Sequence, residues 1–306
     1  MLRAMQAPDI LCIGAVHWDV IGRADAALAR GDDRPGRVER RPGGVALNVA
    51  AACARLGLRP ALLSAVGADA EGVALTAACA ALGLETGCVL RAEGPTGAYV
   101  ALEDAGGLVA AVADAATLEA AGAAILAPLA DGRLAAAAAP WTGPAVVDGN
   151  LPGGLLAELA AGPWLARADL RAVAASNAKA GRLAPLTALA RATLYLNLAE
   201  ASELGGAAFA DAPAAAEALS AGGAARVLVT DGPGPAALGV AGRVLVHRPP
   251  GVAPRRVTGA GDCLMAHHIA AERRGVPAAE ALGLAVAAAA RHVAGEDTPL
   301  SGKEPT

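Results

Sequence analysis

Short runs of branched and aliphatic residues alternate with alanine-rich segments of helical length along most of the chain. DILCIGAVHWDVIG (9–22) opens with the continuous apolar pattern of a buried strand. NVAAACARLG (48–57) reads as a helix, with Gly57 suited to its C-terminal stop. RPALLSAVG (59–67) predicts the next strand and GVALTAACAALG (72–83) the next helix, again ended by glycine. PAVVDGN (144–150), ATLYLN (192–197) and ARVLVTDG (225–232) continue the strands, each followed by an Ala/Leu-rich stretch. Repeated β-α units predict an α/β fold with a mostly parallel sheet between layers of helices. Ligands in such sheets bind beyond the carboxyl ends of the strands. Two regions break the rhythm. Residues 20–41 are charged and rich in turn formers, and 94–113 read as a strand, an EDAGG turn and a second strand. The absence of a linker or repeat predicts one domain over 1–306, and the hairpin inserted in the β-α alternation at 94–113 suits a small flap.

Composition narrows the class. Of the 306 residues, 55% are hydrophobic and 18% charged, which excludes intrinsic disorder. A net charge of −4 offers no footprint for nucleic acid or an anionic membrane, and 2% aromatic residues are too few for base stacking. The longest apolar stretches, 120–130 and 134–147, stop at Asp131 and Asp148, short of the ~18 residues a span needs. Cys12, Cys53, Cys79, Cys88 and Cys263 are far apart and form no CxxC. MLRAMQAPDI lacks the apolar region of a secretion signal. A soluble cytoplasmic protein is expected, with no membrane and no nucleic-acid partner.

The sharpest chemical feature is Gly259-Ala260-Gly261-Asp262, opening a helix over about 260–274 that ends at Gly275. Free amides and the dipole at a helix start make an anion site, and glycines let backbone approach a ligand. Asp262 then either complements the dipole or takes a proton from a hydroxyl beside a held phosphoryl group. Gly43-Gly44, leading to Asn48, forms either a plain capped turn or a backbone that meets a polar ligand, with Asn48 offering donor and acceptor to a diol. Asn197 and Glu200 stand at i, i+3 after a strand: an ordinary capping box, or an amide and a carboxylate for hydrated magnesium. Thr230 and Gly232 end another strand, in a simple turn or against a nucleotide. No P-loop, dinucleotide fingerprint, zinc spacing or nucleophile elbow is present.

Together these motifs resemble the ribokinase-like, or PfkB, family of sugar and nucleoside kinases over nearly the whole chain. The resemblance implies a ribokinase-like three-layer sandwich with a small β-lid formed by about 16–41 and 94–113, and an ATP- and Mg2+-dependent phosphotransferase acting on a small sugar or nucleoside. It implies Asp262 as catalytic base and the backbone of Gly259, Ala260 and Gly261 as the anion hole. Asp19, Gly43, Gly44, Asn48 and His17 would bind the acceptor, with Asp19 on the first strand and His17 where the family often has Asn. Thr230, Gly232 and Asn197 would bind the nucleotide, and Glu200 would act on magnesium through water. Arg256-Val257 replaces the usual leading Asp-Thr of D-T-x-G-A-G-D, which weakens the case for a monovalent cation; Arg256 could instead meet a phosphate or sit on the surface. Pro35-Gly36-Arg37, Asp148-Gly149-Asn150-Leu151 and Ser176 to Lys179 with Arg182 look like pseudouridine kinases, which phosphorylate the 5'-hydroxyl. A ribokinase or another PfkB sugar kinase, or a non-catalytic binding protein on the same scaffold, are the alternatives. A homodimer through the lid is implied as possible.

Overall fold

The buried carboxylate of Asp148 explains where the chain first departs from its apolar pattern. β1 (Ile10–Ile13) stops because Asp148 Oδ2 accepts from the amide of Ala15 at 2.9 Å, turning the chain out of the sheet. It re-enters order as β2 (His17–Ala24), so the strand expected over 9–22 is two strands in different sheets. The computed structural model describes residues 7–296. Residues 1–6, which begin the stretch read for a targeting signal, lie outside the described residues.

β3 (Gly36–Gly43) returns beside β2, and α1 (Val45–Arg55) begins ahead of the expected Asn48. β4 (Pro60–Leu63) and β5 (Ala65–Gly67) divide the strand expected over 59–67. α2 (Ala70–Ala81) is capped by Asp69, whose Oδ1 accepts from the Gly72 amide at 2.8 Å. β6 (Leu90–Ala92) pairs with β5, and β7 (Ala98–Asp104) with β8 (Gly107–Asp114) makes a hairpin over the EDAGG turn. The chain continues as α3 (Ala116–Ala121), α4 (Ala127–Ala130), β9 (Pro144–Asp148), α5 (Gly153–Ala161), β10 (Asp169–Val173), α6 (Ala184–Thr187) and β11 (Ala192–Asn197). α7 (Leu198–Gly205), α8 (Ala212–Ala221), β12 (Arg226–Thr230), β13 (Ala236–Val240), β14 (Arg243–His247), α9 (Ala260–Arg273) and α10 (Ala278–Ala294) complete it.

The main sheet has eight strands in the order β14-β13-β12-β11-β10-β9-β1-β4. From β4 to β12 all neighbours are parallel. The expectation of a helix after every strand fails past β12. There β13 and β14 run antiparallel, joined by Ala241 and Gly242 at φ 51° and 71°, a turn whose twist suits a hairpin. The parallel strands are buried on both faces: Leu11 and Ile13 join one core with α5 and α8, while Ile10 and Cys12 join a second with α1, α9 and α10. This is the three-layer α/β arrangement that the resemblance implies. Strand order reverses at β1, which has β4 on one side and β9 on the other. That crevice, at the carboxyl ends, is where a ligand is expected.

β3, β2, β7 and β8 form a separate four-stranded sheet from the two regions that broke the β-α rhythm. Register puts Asp19, Ile21, Arg41 and Ala101 on one face, with Ile21 and Ala101 buried. Among the described residues no helix is long and apolar enough to cross a membrane.

Candidate active site

α9 supplies the centre of the site. Gly259 caps it in the left-handed conformation at φ 85°, with no side chain capping the helix. The Ala260 amide donates to Val257 O at 3.1 Å and the Cys263 amide to Gly259 O at 2.9 Å. Ala260, expected in the amide hole, therefore has its N–H engaged within the turn. The amides without an acceptor among the described residues are Gly259, Gly261 and Asp262.

Asp262 lies in the first turn of α9 and faces α1. Asn48 Nδ2 donates to Asp262 Oδ2 at 2.9 Å, across 214 residues of sequence. Asn48 is thus inside α1 and caps nothing. Burial pushes the Asp262 carboxyl up to about 7; the Asn48 hydrogen bond opposes this, and the carboxylates of Asp148, Asp19 and Glu200 add to the rise. One cleft is lined by Asp262, Gly259, Asn48, Asp19, Arg41 and Arg256, among others.

Asp19 is on β2, not on the first strand as expected, because the chain has already left the main sheet at Ala15. Its carboxylate lies 3.6 Å from Arg41 Nε and 3.3 Å from His17 Nδ1. His17 Nδ1 is buried without a hydrogen-bond partner, and His17 does not line the cleft. Gly43 and Gly44 sit behind the cleft, where close approach explains both. A Cβ on Gly43 would lie 2.1 Å from Asp19 Oδ1. One on Gly44, at φ 104°, would lie 2.2 Å from Ala15 O.

A second, open groove is lined by Asn197, Leu198, Ala199, Ser202, Phe209, Thr230, Asp231 and Gly232. β11 pairs with β12 so that Asn197 stands beside Thr230 at the strand ends. Asn197 Oδ1 accepts from the Glu200 amide at 2.8 Å, and Glu200 Oε2 accepts from the Asn197 amide at 2.9 Å, a complete capping box. Glu200 is buried beside the groove's Asn197 and is not among its lining residues; desolvation raises its carboxyl above the usual range.

Asp148 and Lys179, quoted above for the subfamily likeness but given no site role, and His292, not quoted above, were missing from the expected site residues. Asp148, fully buried, also accepts from the amides of Ala46 at 3.1 Å and Asn150 at 2.8 Å, and so joins β1, α1 and β9 at the crevice. Lys179 Nζ donates to Asn150 Oδ1 at 2.5 Å; burial, then Arg182, holds its ammonium below the usual range. His292 on α10 reaches the loop before Gly259. An acidic residue ending the apolar run of β9 was the one visible signal, pointing to Asp148.

A profile for the pfkB family carbohydrate kinases matches residues 7–301. Over a short segment the chain is 41% identical to the pseudouridine kinase of Escherichia coli K12, across 66 residues that make up 22% of this chain and span 21% of that relative. Among solved structures, the carbohydrate kinase from Agrobacterium tumefaciens aligns with a TM-score of 0.74 at 28% identity, over 92% of this chain and 89% of its own. Adenosine kinase from Schistosoma mansoni in complex with 2-fluoroadenosine aligns with a TM-score of 0.78 at 18% identity over 98% of both chains. Arabidopsis thaliana ribokinase complexed with ribose and ATP aligns at 0.72 and 19% over 94% of this chain and 93% of its own. These last two likenesses speak for the fold alone. The profile match covers nearly the whole sequence, and the chain belongs to the pfkB family of carbohydrate kinases.

Proposed function

We propose that this chain transfers the γ-phosphoryl group of ATP to a primary hydroxyl of a ribosyl compound, with the 5'-hydroxyl of pseudouridine as the foremost candidate. The observation that carries the reading is the Asn48–Asp262 hydrogen bond at the mouth of the α9 amide nest, in a cleft that also holds Asp19. In this reading Asp19 and Asn48 grip the hydroxyls of the sugar. Asp262 accepts the proton of the attacking hydroxyl as its oxygen bonds to the γ-phosphorus, and the bond to the ADP oxygen breaks. Negative charge on the moving group meets the free amides of α9. Thr230, Gly232 and Asn197 line the groove assigned to the nucleotide.

Glu200 and Asn197 fit a magnesium ion held through its waters: the buried Glu200 carboxylate adds to the negative field around Asp262, which a hydrated cation would relieve. Among the described residues no group of three His, Cys, Asp or Glu side chains is arranged to hold a metal directly. When bound, Mg2+ neutralises phosphate charge. The four-stranded sheet, with Asp19 on its inner face, would act as a lid that excludes water. Its outer face carries Val38, Val100, Leu102 and Val112, all exposed, and would be covered by a second copy of the chain. All five cysteines are buried and form no disulfide among the described residues, which fits a reducing cytoplasm.

The test is a phosphorylation screen with pseudouridine, uridine, adenosine, ribose and fructose 6-phosphate. Product on pseudouridine alone supports the narrow reading. Product on another acceptor keeps the kinase and replaces the substrate, and no ATP consumption with any acceptor favours a binding protein.

A further inference from the structure

The segment between β14 and α9 carries no regular structure, yet it ends in the amide nest. Among the described residues its hydrogen-bond anchors are on the last turns of α10. The amides of Arg255 and Arg256 donate to Val293 O at 2.8 and 3.1 Å. His292 Nε2 meets Thr258 O at 2.9 Å, and a carbonyl only accepts, so Nε2 carries the proton. Nδ1 then holds a lone pair and accepts from Arg256 Nη2 at 2.9 Å. A Cβ built on Gly259 would lie 3.4 Å from His292 Nε2, so the imidazole also lies directly against the left-handed cap of α9.

Arg256 lines the cleft with Asp262 and Asn48. No carboxylate lies within ion-pair distance of it among the described residues, and its Nε is buried without a partner. A cation in a cleft that meets an imidazole and, among the described residues, no carboxylate keeps its charge for an anion. Arg256-Val257 also offers none of the side-chain oxygens that the Asp-Thr pair would present to an alkali ion. The two residues do not fit a monovalent cation.

We propose that Arg256, braced by His292, is a built-in positive charge and strut beside the phosphate nest, so that turnover needs no alkali cation. The proposal rests on the kinase reading above. Arg256 and His292 are positioning residues: they hold Thr258 and Gly259 so that the amides face an arriving phosphoryl group.

The experiment compares wild type, Arg256→Met, Arg256→Lys, His292→Leu and His292→Gln. Rates are measured with the best acceptor in potassium, sodium and tetramethylammonium chloride at equal ionic strength. ATP binding without acceptor is measured by calorimetry. Wild-type rates should agree within about 2-fold across the three salts, while Arg256→Met and His292→Leu lower kcat about 10–100-fold and leave the acceptor KM nearly unchanged. ATP should bind Arg256→Met more weakly. His292→Gln, which keeps a donor and an acceptor, and Arg256→Lys, which keeps the charge, should recover part of the rate. A wild-type enzyme that requires potassium, or an Arg256→Met enzyme with unchanged kcat and ATP affinity, overturns the proposal and spares the kinase reading. Failure of wild type to bind ATP removes the kinase reading itself.

Discussion

Asp262 is held in the folded protein at a cost that its proposed chemistry explains. Its carboxyl titrates at 3.8 when free and at about 7 in the site. The folded state therefore holds the proton more tightly than the unfolded chain. The stability this contributes is full below pH 3.8, is lost as pH rises towards 7, and leaves the ionised carboxylate as a net burden above that. As the proposed base, Asp262 would work only when ionised, so kcat/KM should fall about tenfold per pH unit below about 7. Asp262→Asn should lower kcat by on the order of 10²–10⁴ and abolish that limb, in steady-state assays across pH. It should also raise Tm at pH 8 by about 2–4 °C, an advantage that shrinks as the buffer is acidified. A variant that turns over at the wild-type rate would remove Asp262 from its role. Gly43 gives a second test at this scale. Its missing Cβ is the space the Asp19 carboxylate occupies, so Gly43→Ala should raise the acceptor KM about 10-fold or more, with the KM for ATP little changed. Equal shifts in both constants would mean that Asp19 does not grip the acceptor. Asp262, Asn48, Asn197 and Thr230 were legible because their residue types and spacings are local. Asp148 was not, since its partners at Ala15 and Ala46 are distant in sequence and its role exists only once β1 and β9 are neighbours.

α9 must hold its N-terminus still while its other end packs on the sheet. Arg171 on β10 does much of that anchoring. Its guanidinium donates to Asp169 at 2.5 and 2.8 Å, to Glu272 at 2.6 Å and to Tyr195 Oη at 2.9 Å, while Arg226 also bonds Glu272. Burial works against the Arg171 charge, but Tyr195, Asp169 and Glu272 outweigh it and keep the group protonated. Because Arg171 donates to the Tyr195 oxygen, the hydroxyl proton is free for His268 Nδ1 at 2.7 Å. His268 is then neutral with its proton on Nε2, and burial pushes its pKa down to about 4. Removing one member of a buried ion network strands the others. Arg171→Met should cost about 3–5 kcal/mol, read as a lower denaturant midpoint, whereas a surface pair such as Arg133–Asp131 should cost under about 1 kcal/mol. Equal effects would show that the network does not anchor α9. The sequence displayed α9 from its first residue to Gly275, yet not this network. Only the packing of α9 over β10 and β11 puts His268 against Tyr195.

At the scale of the molecule, two sheets meet around one crevice. The smaller sheet leaves an apolar outer face: Val38 is 74% and Val112 70% exposed. Trp18 and Arg40 secure the base of that face to α2, with the guanidinium 4.0 Å from the indole centroid and 2.6 Å from Glu71. If a second copy covers the remainder, light scattering should give twice the chain mass, and Val112→Asp should halve it without unfolding the protein. A monomeric wild type would refute the pairing. Much of this architecture could be read from residue order alone: the alternation of apolar runs and alanine-rich helices, the hairpin around EDAGG, and the glycine-bounded start of α9 all rest on short-range periodicity and backbone freedom. Distances between remote segments could not be read that way. Asn48 and Asp262 share a hydrogen bond because β1 and β9 pair, α1 packs on α9 and Asp148 gathers the loops between them, and those contacts come into being only when both faces of the sheet are buried. Local pattern chose the elements; burial of two apolar faces chose which of their ends would meet.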